Sequence, residues 1–280
     1  MRSVTAISLL LASLATAREI PQNLQTFYES NKNGICSQPV SIPYRSAQSE
    51  ADTVYCKDNP TGALFLKDDT TGYADMDIDC DGLDRSSGDC FNDPTGQSQT
   101  AFKDLVKEYG GIEDLSSQIH SYIVLGNDNS ETEGNGGQKF DPEQDAGIKP
   151  LSVVAVVCNN KLFYGVWGDV NGGYLTGESS LALAKRCYPD EGLNGNKGHG
   201  DHDVLYIAFP GEEAVIGKDA AWGASTPEEF EESLAAVGDK LVAKLGGGII
   251  GEDDGSHSGN GTGNGNGTWG HFRSKDVIIS

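Results

Sequence analysis

Two carboxylates bracket one glycine-rich stretch, Tyr164-Gly-Val-Trp-Gly-Asp169-Val-Asn-Gly-Gly-Tyr-Leu-Thr-Gly177-Glu178-Ser179-Ser180. Asp169 closes an apolar run that reads as a strand, and Glu178 opens a run to Arg186 that reads as a helix. A loop between two regular elements can bring both acids into one cleft. One protonated and one ionised carboxyl, held several Å apart, is the equipment for cleaving a glycosidic bond: an acid for the leaving oxygen, and a base for water or a nucleophile for the sugar. A helix N-terminus favours the charged form, which suits Glu178 as base. The apolar strand before Asp169 favours the proton, which suits it as acid. With 42 acidic residues in 280, spacing alone does not establish this pair.

A second acidic run, Asp75-Met-Asp77-Ile-Asp79-Cys80-Asp81-Gly82, puts acids on alternate positions, so an extended segment would carry them on one face. Like charges so placed call for a compensating cation. Asp77-x-Asp79-x-Asp81-Gly82 mimics the start of a calcium loop, but the twelfth position is Gly88 rather than the bidentate Glu. A cationic ligand and a plain acidic surface loop are the other readings, and no metal is assigned. His199-Gly-Asp201-His202-Asp203 lacks a helical His spacing and reads as a polar loop. There is no Gly-x-Ser-x-Gly nucleophile motif. Trp167 and Tyr174 flank the acids and are candidate surfaces for stacking on sugar faces, against the alternative of core aromatics.

The segments Gly147-Ile-Lys-Pro150, Tyr164 to Asp169, Gly177-Glu178-Ser179-Ser180 and Tyr206-Ile-Ala-Phe-Pro-Gly211, with Met76 to Gly82 upstream, are similar to those of the fungal endo-chitosanases of glycoside hydrolase family 75. The resemblance runs from about Gly34 to Leu245. It implies a secreted enzyme that cuts internal β-1,4 bonds between glucosamine units with inversion and no cofactor. Asp169 and Glu178 would be its essential carboxylates, with Asp77 and Asp79 on a substrate-facing strand. Ser179 departs from the family's usual alanine. The resemblance also implies a small closed barrel of the double-psi type.

Composition agrees with a cationic polymer as partner. The net charge is −22 and becomes −23 when Arg2 is removed with residues 1–17, which have the charged start, short apolar core and Ala15-Thr16-Ala17 end of a secretory signal. Such acidity repels nucleic acid and attracts polycations over long range. The apolar run is too short to span a membrane. Six cysteines, without a Cys-x-x-Cys pair, point to three disulfides among 15 possible pairings. Cys80 with Cys90, and Cys158 with Cys187, are the local candidates.

The elements that must position these residues read as mainly β with peripheral helices in one catalytic domain, 18–245, acting as a monomer. Ser152–Val157 and Lys161–Trp167 around Asn159-Asn160 form a hairpin pattern, and further strands are expected near 63–66, 121–125 and 204–209. Helices are expected at about 98–109, 178–186 and 227–245, the last with Thr226 as N-cap, Pro227 in its first turn and an apolar stripe. Residues 246–280 read as a flexible Gly/Asn-rich tail with glycosylation sequons at Asn260 and Asn266. Two rivals stay open on the same evidence. One is a wall-binding or wall-loosening protein without hydrolysis, and the other is an endoglucanase acting on neutral glucan.

Overall fold

The computed structural model describes residues 18–45, 51–93, 96–128 and 139–246. The expected secretory signal, both sequons and nearly all of the expected tail lie outside the described residues. Among these residues, nine strands form one mixed sheet. They are β1 (Tyr44–Arg45), β2 (Ala51–Lys57), β3 (Leu64–Asp68), β4 (Ala74–Asp79), β5 (Tyr122–Asn127), β6 (Val153–Cys158), β7 (Lys161–Asn171), β8 (Glu178–Ser180) and β9 (His199–Ala208). Their order is β1-β2-β3-β9-β4-β8-β5-β7-β6, and β6 also pairs with β9, so six of the strands close a hydrogen-bonded circuit. Helices α1 (Gln22–Lys32), α2 (Lys103–Gly110), α3 (Pro142–Ala146), α4 (Leu181–Cys187) and α5 (Pro227–Val242) lie at its periphery.

The β6–β7 hairpin forms as the sequence implies. Asn159 and Asn160 adopt φ of 47° and 55°, the left-handed pair that a two-residue turn needs to match strand twist. Its register runs from Val153 opposite Val166 to Cys158 opposite Lys161, and every residue of β6 is buried. α5 begins at the expected cap: the Thr226 side chain accepts from the Glu229 amide, while Glu229 Oε2 accepts from the Ser225 amide at 2.9 Å. Phe230, Leu234 and Leu241 are buried along its inner stripe. Gly238 sits where a Cβ would lie 2.4 Å from Cε1 of Tyr164, so this helix reaches the sheet only because it carries no side chain there. The helix ends at Val242 rather than Leu245, and Asn23 Nδ2 bonds the freed carbonyls of Val242 and Leu245.

Three sequence expectations need correction. The helix expected from Glu178 starts at Leu181, with Ser180 as N-cap, and Glu178 itself lies on β8. Three residues are too few for periodicity to reveal a strand; β8 exists because it pairs in parallel with β4, Asp77 opposite Glu178 and Asp79 opposite Ser180. The helix expected from about Ser98 begins at Lys103. The supposed polar loop at His199 is the start of β9, where His199 lies between Glu191 and Asp203 and stacks on Tyr188 with centroids 3.6 Å apart.

Three disulfides fasten the fold: Cys80–Cys90 and Cys158–Cys187 as expected, and Cys36–Cys56 as the remaining pair. The first ties the end of the acidic strand to the following turn. The second joins the β6–β7 hairpin to α4. No helix among the described residues is long and apolar enough to cross a membrane.

Candidate active site

Three strands deliver acids to one cleft. β7 brings Asp169 and Asn171, β8 brings Glu178, and the end of β4 brings Asp79, with Asp81 just beyond. β5 runs between β7 and β8, pairing Val124 with Asp169 and Ile123 with Ser179, so it spaces the two candidate catalytic strands. Gly177, at φ 91°, makes the turn into β8, and a Cβ there would lie 2.5 Å from Asp75 Oδ1. The cleft is lined by Ile78, Asp79, Asp81, Asp93, Gln97, Val124, Asp169, Val170, Asn171, Gly172, Leu175 and Glu178. Five of these are acids and none is Lys, Arg or His.

Asp169 is 5% exposed. Its Oδ1 accepts from the amides of Ala101 at 2.9 Å and Val170 at 2.8 Å, whereas Oδ2 is buried without a hydrogen-bond partner. Burial pushes its carboxyl up to about 7, against the pull of those two amides and with a further push from Asp81 and Asp114. Glu178 is half-buried on the facing strand and accepts from Asn171 Nδ2. Burial, then the charge of Asp77, pushes it up to about 8, while the Asn171 bond opposes the shift. Asp79 is pushed well above the carboxylate range by burial and by Asp169, Asp81 and Glu178. Burial raises Asp81 to about 6, although its Oδ1 accepts from the Gln97 amide. This cluster therefore holds protons near neutral pH that ordinary carboxyls have lost.

Asp169 and Glu178 thus line one cleft, and Asp79 joins them. The position of Glu178 on β8, two residues before the cap, removes the helix-dipole reason for making it the base. Asp77 is 9% exposed and does not line the cleft; it sits opposite Glu178 in the parallel pair, and its charge acts on that residue. The alternation read from sequence therefore grades from the buried Asp75 outward to the cleft acids. Asp77 to Gly82 is a strand end and turn, not the loop between two helices that a calcium hand requires.

Trp167 is 2% exposed, and its indole N–H donates to the carbonyls of Leu125 at 3.0 Å and Asp169 at 2.9 Å. Phe102 packs edge-on against the ring at 4.9 Å. This placement favours holding Asp169 over stacking on sugar. Tyr174 is partly buried on the loop between β7 and β8, its ring centroid 5.3 Å from that of Tyr44.

Sequence reasoning did not single out Asn171 or Asn127. Asn171 lies two residues after Asp169 on the same strand face, a signal that period-2 alternation offers. Asn127 is fully buried, and its Nδ2 donates to the carbonyls of Gly173 at 3.0 Å and Leu175 at 2.6 Å, which fixes the glycine-rich loop from beneath.

Residues 76–244 match a family described as fungal chitosanase of glycosyl hydrolase group 75. An endo-chitosanase of Aspergillus oryzae is 48% identical over 243 residues, covering 85% of this chain and 97% of that protein. An endo-chitosanase of Aspergillus fumigatus is 46% identical over 247 residues, covering 88% and 99%. Endo-chitosanase B of Aspergillus oryzae is 47% identical over 249 residues, with the same coverage. The match includes every acid that lines the cleft, and on this evidence the chain belongs to the fungal chitosanases of glycosyl hydrolase group 75.

Proposed function

We propose that this protein hydrolyses internal β-1,4 bonds between glucosamine units of chitosan with inversion, using Asp169 and Glu178 as its acid–base pair. The observation that carries the reading is a cleft lined, among the described residues, by five carboxylates and no cationic side chain, which suits a polymer bearing an ammonium group on each sugar. Glu178 is the acid: burial and the charge of Asp77 raise its proton affinity more than the bond from Asn171 lowers it. Asp169 is the base, because two amides favour its ionised form and its Oδ2 makes no hydrogen bond to the described residues that would have to be given up on taking a proton. This order reverses the one expected from a helix N-terminus. Inversion needs about 6.5–9.5 Å between the carboxyls to admit that water.

Asp77 and Asp79 serve the substrate electrostatically, Asp79 by direct contact with an ammonium group and Asp77 through Glu178. Trp167 positions Asp169, and Tyr174 offers a ring from the loop between β7 and β8. No cofactor takes part. The closed strand circuit is a small barrel of the double-psi type, residues 18–245 are the catalytic domain, and the protein works as a secreted monomer after loss of residues 1–17. Three disulfides support an oxidising, extracellular setting.

Release of reducing ends from chitosan, chitin and carboxymethylcellulose, measured in parallel, tests this reading. Cleavage of chitosan with little of the other two is expected. Binding without cleavage would favour a wall-binding protein, and cleavage of carboxymethylcellulose would favour an endoglucanase. A chain ending at Leu245 should retain activity on soluble chitosan, since Leu245 is fully buried and closes the core.

A further inference from the structure

Asp79, Asp81 and Asp169 converge more tightly than an acid–base pair requires. One carboxylate oxygen from each lies within 4.8 Å of the other two. Each side chain is held by backbone amides: Asp79 Oδ1 by Asp81 at 2.7 Å, Asp81 Oδ1 by Gln97, and Asp169 Oδ1 by Ala101 and Val170. The arrangement is thus built by the chain, and exposed side chains drifting together do not account for it. A separate observation points to a ligand: Asp169, 5% exposed, keeps a buried Oδ2 without any hydrogen bond. Such an orphan oxygen costs free energy unless something occupies its lone pairs.

The chemistry of the donors narrows what could. All three are carboxylates, with no nitrogen or sulfur ligand, which disfavours zinc and copper and suits hard cations. Oxygens within 4.8 Å of one another can share one ion through bonds of about 2.0–2.6 Å, a range that admits both calcium and smaller hard cations. Calcium also accepts irregular geometry and completes its shell with water, which an open cleft supplies.

We propose that Asp79, Asp81 and Asp169 form a binding site for one divalent, oxygen-preferring cation of the calcium and manganese class, and that this ion competes with the cationic substrate. The ion neutralises the charge that would otherwise receive a glucosamine ammonium, and it occupies the lone pairs of Asp169. Binding rests only on the three carboxylates; competition rests also on the reading of Asp169 as the base.

The test uses the full-length protein freed of metal by a chelator. Mn²⁺ titration followed by electron paramagnetic resonance should show one bound ion per chain, displaced by Ca²⁺, with a dissociation constant on the order of 10⁻⁴–10⁻³ M or below. Asp81→Asn, which keeps the acceptor for the Gln97 amide, should weaken binding about ten-fold or more. Asp93→Asn, in the same cleft but outside the triad, should change it less than about two-fold. Ca²⁺ should raise KM for chitosan oligomers and leave kcat unchanged. Absence of saturable Mn²⁺ binding up to about 10 mM, or equal weakening by both substitutions, overturns the site. Binding without a change in KM overturns the competition. Reducing-end release in chelator alone reports on hydrolysis separately, so failure of the hydrolytic reading leaves the resonance result to decide the site.

Discussion

The two ends of β7 treat buried acids in opposite ways. Near its start, Glu231 of α5 is 1% exposed and fully engaged: Oε1 meets Arg18 and the Tyr164 amide, and Oε2 meets Arg186 at 2.8 Å. Near its end, Asp169 is almost as buried, yet it has two amides, no cation and one empty oxygen. Burial pushes both carboxyls up, but at Glu231 two arginines pull back. The first acid belongs to the scaffold. The second is left with an unpaired oxygen among the described residues at the cleft, the contrast on which the proposed catalytic role of Asp169 rests.

The sharpest way to break this contrast is to neutralise each acid without changing its shape. Asp169→Asn or Glu178→Gln should lower kcat on soluble chitosan by about 10²–10⁴-fold, the usual weight of acid–base groups. The fold should survive, read from an unchanged far-ultraviolet spectrum and melting curve. Wild-type turnover in either variant removes that residue from the mechanism.

Glu231→Gln should do the reverse. Leaving Arg186 and Arg18 without their shared acid, though each keeps a second carboxylate in Glu228 and Glu232, should cost about 1–3 kcal/mol in denaturant unfolding. Activity per folded molecule should stay within about two-fold of wild type, a change small against a catalytic loss. A stable but inactive variant would erase the distinction between the two ends.

pH sharpens the comparison. A carboxyl whose folded pKa is raised stabilises the fold at low pH, and that contribution is lost as pH rises through the folded value. For Asp81, Asp169 and Glu178 the loss runs through about 6, 7 and 8. Unfolding free energy should therefore fall from pH 5 to pH 8 more steeply in wild type than in Asp169→Asn, by about 2 kcal/mol at pH 8. Parallel slopes would show that Asp169 titrates normally. In activity, an ionised Asp169 and protonated Glu178 give a bell in kcat/KM between about 7 and 8 for the free enzyme. Bound ammonium groups should move the kcat profile to lower pH, because nearby positive charge favours the carboxylate.

Tyr174→Ala is expected to have the smallest effect. Loss of one partly buried ring on the loop between β7 and β8 should raise KM for chitosan oligomers by about ten-fold or less, corresponding to roughly 0.5–1.5 kcal/mol. Trp167→Phe offers the counterpart from beneath: it keeps the packing against Phe102 but drops the bond to the Asp169 carbonyl, so kcat rather than KM should fall. A pure KM effect at Trp167 would restore it as a sugar-binding residue.

The sequence by itself determined what depends on near neighbours. The Asn159-Asn160 turn follows from two residues that tolerate left-handed backbone between two apolar runs, and α5 follows from Thr226, Pro227 and its stripe. Two disulfides were legible, Cys80–Cys90 because it closes a short loop and Cys158–Cys187 because it ties the hairpin to the following helix. Asp169 and Glu178 were legible as types at the ends of a glycine-rich loop. Tertiary structure decided their environment. Glu178 is on a strand only because β4, about a hundred residues earlier, pairs with it in parallel, and such contacts leave no local periodicity. Asp81 meets Asp169 because the sheet order places β8 and β5 between β4 and β7 at one cleft, and Trp167 turns inward because Leu125 and Phe102 close over it. Burial and mutual charge, which set the protons these acids keep, arise only when distant segments exclude water from one cleft.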